Sequence, residues 1–148
     1  MWTPTALASE FRRYRKTVWR VVEAQHRIST NRLAETFEDQ ARLEELAEAA
    51  KPDLPKSAQG LHYLLASPFR YGHKSLSRFR RANERPGIFY ASEAEATAIA
   101  ETAYWRLRFF SRSPDFVPGN RTSEHLSFSV AVSTLRAVDL SRPPFDAQ

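Results

Sequence analysis

Arg70 stands in Ser67-Pro68-Phe69-Arg70-Tyr71, between aromatic residues and just after a proline. A guanidinium there presents a planar fork that fits a phosphate pair in a geometry lysine cannot match. The competing reading is a surface arginine whose stem packs on Phe69. Arg78, in Ser77-Arg78-Phe79, admits the same two readings. Tyr90 closes Ile88-Phe89-Tyr90, where its ring can stack on a heteroaromatic group and its hydroxyl can hydrogen-bond; the alternative is an ordinary core aromatic. Glu101 is the only acid between Glu95 and Asp115. Helical spacing surrounds it with Ala98, Tyr104 and Trp105, and a carboxylate among apolar groups is costly without a partner or a task. Its alternative is an ion pair with Arg106 or Arg108 on the helix surface.

Other chemistries find little support. The histidines, His26, His62, His73 and His125, have no ligand spacing and no HExxH pattern occurs, which argues against a metal site. The chain has no cysteine, so disulfides, thiolate metal sites and a cysteine nucleophile are excluded. The four glycines are isolated and build no phosphate loop, and no serine hydrolase signature is present. The formal charge of +5 is unevenly spread. Residues 30–50 are acid-rich, whereas from Arg70 to Arg85 the cations Arg70, Lys74, Arg78, Arg80, Arg81 and Arg85 face only Glu84. Such a cluster attracts phosphate, in a nucleotide or a nucleic acid, or simply keeps a loop solvated.

The elements that must hold these residues follow from pattern. At 148 residues the chain is expected to form one domain, and a hydrophobic share of 42% excludes a disordered one. No apolar run is long enough to span a membrane, and the basic N-terminal stretch lacks the centre of a secretory signal, so a cytoplasmic address is the default. Thr17 to Glu23, β-branched and aromatic, predicts a first strand. Ser29 or Thr30 can cap a helix running to about Ala50, which Lys51-Pro52 stops. Ala58 to Leu65 predicts a short helix or turn ending at Ser67-Pro68, and residues 72–86 a loop. Ile88 to Ala91 predicts a short buried strand, and Ser92 to Glu95 a capping box opening a helix from Glu93 to about Phe110. Leu126, Phe128, Val130 and Val132 alternate with small residues as a half-buried strand, and Val138-Asp139-Leu140 is expected to extend or pair with it. Together these predict an α+β domain.

The ordered set Phe69-Arg70-Tyr71, Ser77-Arg78-Phe79, Gly87-Ile88-Phe89-Tyr90-Ala91-Ser92 and Ala98-Ile99-Ala100-Glu101 resembles the RES domain, named for an arginine, a glutamate and a serine. The resemblance continues through Trp19 to Gln25, Gly60 to Leu65, Val138 to Leu140 and Pro143 to Phe145. It implies an ADP-ribosyltransferase-like mixed sheet with flanking helices, and a toxin that consumes NAD+ beside an Xre-type antitoxin, with which it would form an oligomer. By that resemblance Arg70 would hold the NAD+ pyrophosphate with help from Arg78, and Tyr90 would stack on the nicotinamide. Glu101 would engage the nicotinamide ribose and favour an oxocarbenium-like transition state. No cofactor is implied, since NAD+ is the substrate; water or inorganic phosphate would attack. The resemblance further implies a single RES-type domain over 1–148 that ends before the family's serine and its C-terminal strands; Ser127, Ser129 and Ser133 lie outside that motif. Two other expectations stand beside it. One is a basic nucleic-acid-binding module, in which the Arg70 to Arg85 cluster tracks a backbone with Tyr71 and Phe79 stacking on bases. The other is an inactive remnant that only binds its antitoxin.

Overall fold

The computed structural model describes residues 7–24, 34–76, 79, 81–113 and 123–145. In chain order its longer elements are β1 (Arg12–Glu23), α1 (Phe37–Ala49), α2 (Tyr63–Arg70), α3 (Glu95–Ser111) and β2 (His125–Ala137). The chain folds as two compact units, one of Met1–Glu23 with Ala91–Gln148 and the other of Ala24–Tyr90.

The first unit rests on its two long strands. The β-branched run around Val18 predicts a strand from Thr17, but β1 reaches back to Arg12 because β2 is long enough to pair with the added residues. The pairing is antiparallel, in a register that sets Val18 opposite Val130, Arg20 opposite Phe128 and Val22 opposite Leu126. Because side chains alternate along a strand, these pairs share one face. Val18 is buried there, and burial lowers the Arg20 pKa from its ordinary value without removing its charge. The predicted alternation holds from Phe128 to Ser133, with Phe128, Val130 and Val132 half-buried and Ser129, Ala131 and Ser133 exposed, but not at its start, where Leu126 is exposed and Ser127 half-buried. Val138 to Leu140 does not extend the strand; the chain turns at Leu140.

The other edge of β1 is also engaged. The Trp19 amide donates to the Ser92 carbonyl at 2.7 Å and the Ser92 amide donates back to the Trp19 carbonyl at 2.9 Å. This pairing overrides the expected capping box. Ser92 is held extended against β1, so α3 starts at Glu95, with Ala94 as a cap that offers no side-chain bond. The helix packs against β1 through a face on which Ala98 is buried. Glu93 secures the approach, accepting from the Tyr14 hydroxyl at 3.1 Å and from Lys16. Further along, Arg106 reaches Glu23 at 3.4 Å and the Ser123 hydroxyl at 3.2 Å.

The second unit is helical. Its first helix, α1, is capped by Thr36, whose hydroxyl accepts from the Asp39 amide at 3.1 Å. The expected caps Ser29 and Thr30 lie outside the described residues, and residues 34–36 are not helical. The later start has a local cause: Thr36 satisfies a first-turn amide, and Glu38 and Asp39 suit the positive end of the helix dipole. No residue of α1 is buried. One turn of 3₁₀ helix at Lys56–Ala58 leads from α1 towards α2.

The pattern predicts that Pro68 ends the short helix, yet it lies inside α2. Proline forfeits one backbone bond, but the Ser67 hydroxyl donates to the Tyr63 carbonyl at 2.7 Å and Ala66 is buried, so packing carries the helix further. Residues 88–91 form no strand. Strand propensity by itself does not make a strand. What orders this segment is Gly87, which is buried against the end of α2. A Cβ there would land on the carbonyl oxygens of Pro68 and Tyr71. The Gly87→Ala variant is accordingly expected to lose about 1–3 kcal/mol, a typical overpacking cost. Urea unfolding checks this, and an unchanged midpoint would contradict the close approach.

Candidate functional site

Arg70 ends α2, its side chain only 18% exposed, and is not a solvated surface arginine. Its Nη1 lies 2.6 Å from Glu48 Oε1. The other oxygen of Glu48 accepts from Lys51 Nζ, also at 2.6 Å. One carboxylate is thus shared by two cations. Lys51 first and Arg70 second hold the Glu48 carboxyl below its ordinary value. The helix dipole disfavours an acid in the last turn of α1, where no basic residue stands, so these two cations offset that repulsion. Beside the trio is a cavity of about 490 Å³, lined by Glu45, Glu48, Lys51, Asp53 and Arg70 with Ala49, Pro52 and Leu54.

Tyr90 belongs to the same unit as Arg70, and it is 41% exposed rather than sunk in a core. Arg78 lies outside the described residues. The loop between Arg70 and Tyr90 is closed where the Asn83 amide donates to the His73 carbonyl at 2.8 Å. Asn83 stands at φ 60°, a left-handed conformation that asparagine tolerates well.

Glu101 sits in the other unit, midway along α3. The expected apolar enclosure is not there: Glu101 is exposed, and so are Tyr104 and Trp105, so its charge stays solvated. Neither arginine expected as its partner pairs with it. Arg106 is drawn to Glu23 and Ser123, while Arg108 reaches the Tyr104 hydroxyl at 3.3 Å and lies over the Trp105 ring. Instead the Ser92 hydroxyl donates to Glu101 Oε2 in a long bond of 3.4 Å. A neutral donor so placed orients the carboxylate without cancelling its charge, which stays open to a cationic group.

Two of these partners carry little signal in the sequence. Glu48 is one acid among many there, and its i,i+3 spacing to Lys51 is the only mark that it differs. Ser92 reads as a helix cap, because its contact with Glu101 depends on the pairing with Trp19. Among the described residues, no three of His, Asp and Glu gather as a metal ion would need, and no helix is long and apolar enough to cross a membrane.

The shared carboxylate makes stability depend on pH. Its folded-state pKa lies below the unfolded value, so the stability it contributes is present above the ordinary glutamate value of 4.5 and is lost as pH falls through the folded pKa. Carbon NMR should place the Glu48 titration below 4.5 in the native protein. Lys51→Gln should return it toward that value, and Arg70→Gln should do so to a smaller extent.

No curated protein matches the chain closely enough to count as a relative. The model of one protein family, the RES domain, matches residues 54–148. That segment takes in Arg70, Tyr90 and Glu101 and spans well over half of the chain. The chain belongs to the RES domain family.

Proposed function

We propose that the protein is a toxin-type enzyme that cleaves NAD+ at the bond between nicotinamide and ribose. The observation that carries this reading is the family match over residues 54–148, within which the motif residues Arg70, Arg78, Tyr90 and Glu101 all fall. In this reading Arg70, assisted by Arg78, binds the pyrophosphate through charge-assisted hydrogen bonds. Tyr90 stacks on the nicotinamide ring, a role its exposure allows. Glu101 supports the ribose.

The chemistry asks for a carboxylate at one place. As the glycosidic bond breaks, its electron pair neutralises the pyridinium and positive charge develops on the ribose ring. A carboxylate oriented by a neutral donor stabilises that charge more in the transition state than in the ground state. The bond from Ser92 to Glu101 supports this assignment. Water as nucleophile gives ADP-ribose, nicotinamide and a proton; inorganic phosphate gives ADP-ribose 1″-phosphate and nicotinamide. NAD+ enters as substrate, with no further cofactor. An ADP-ribosyltransferase-like arrangement of the α+β fold and assembly with an Xre-type antitoxin complete the proposal.

The test is NAD+ consumption by the purified protein with and without phosphate, with products separated by chromatography. The wild type should release nicotinamide, and Glu101→Gln should lower kcat by about 100-fold or more. NAD+ left intact at high enzyme concentration would overturn the reading.

A further inference from the structure

We infer that Glu48 competes with the substrate's phosphates for Arg70, so that α1 gates anion binding at this arginine. The inference rests on the reading of Arg70 as the pyrophosphate ligand. Its first support is geometric. The Arg70 side chain is mostly buried, and the Glu48 carboxylate sits on one of its guanidinium nitrogens at 2.6 Å. A carboxylate there occupies the place a phosphate oxygen would take.

Charge gives the second support. Around the adjoining cavity, Glu45, Glu48 and Asp53 face Lys51 and Arg70. Acids outnumber bases by one, so the cavity at rest repels an anion. With Glu48 withdrawn, two acids and two bases remain, so the excess of negative charge is gone.

The contact is also built to be released. No residue of α1 is buried, and Phe37 and Leu46 on it are exposed, so no deep apolar packing fixes the helix in place. Lys51 already holds the second oxygen of Glu48, so a Glu48 released from Arg70 keeps a cation and is not stranded. Glu48 and Lys51 both precede residue 54, where the family match begins.

Binding of inorganic pyrophosphate to the full chain, measured by calorimetry at fixed ionic strength, tests this. Glu48→Gln should tighten binding about two- to fivefold, the range expected for losing one exposed ion pair. Glu48→Ala should shift it the same way. Glu48 is exposed, so circular dichroism should be unchanged in both variants. The gain should vanish when Arg70→Gln is combined with either. Binding that is unchanged or weaker in the Glu48 variants overturns the gate, and so does a gain that persists without Arg70. If Arg70→Gln alone weakens binding in that event, the reading of Arg70 survives. If Arg70→Gln leaves binding unchanged, that reading fails and the gate falls with it.

Discussion

β1 is bonded along both edges, to β2 on one side and to Ser92 on the other. Much of its unit follows from this. Holding Ser92 extended shifts the start of α3 to Glu95 and directs the Ser92 hydroxyl to Glu101. The same approach brings Glu93 to Tyr14 and Lys16, and lets the small Ala98 pack where a larger residue would push the helix away. A pair of backbone hydrogen bonds thus brings a hydroxyl to within 3.4 Å of a carboxylate more than a helical turn away.

Arg70 is placed by different means. It ends a short helix that continues through Pro68, and the chain returning at Gly87 lies against that same end with no room for a side chain. Backbone packing therefore sets where the Arg70 backbone stands, while its guanidinium is held by the exposed Glu48 carboxylate. The distinction matters chemically. An arginine held by its backbone can exchange one anionic partner for another without the unit losing its order.

These two constructions suit the two tasks proposed for an NAD+-cleaving site. Binding a diphosphate asks for a cation that is positioned yet exchangeable. Stabilising positive charge on a ribose asks for a carboxylate held in one orientation. Glu101, solvated and accepting from Ser92, meets the second requirement without a buried charge.

Sequence alone determined much of this. The alternation through Phe128, Val130 and Val132 located β2, because a half-buried strand needs only period two. Apolar residues at helical spacing pointed to α1 and its end near Ala50 but not to its start at Phe37, and the ordered motifs around Arg70, Tyr90 and Glu101 pointed to the RES family that the domain match then established. What pattern could not supply was each contact between distant positions. Ser92 reads locally as a cap and Ile88 to Tyr90 as a strand. Pairing with Trp19 claims the first, and the second stays irregular despite its propensity. Likewise nothing local marks Glu48 as the partner of Arg70, twenty-two residues on. Propensity is a property of neighbours in the chain, whereas hydrogen-bond partners and ion pairs are chosen by proximity in space, and only the tertiary structure makes that choice.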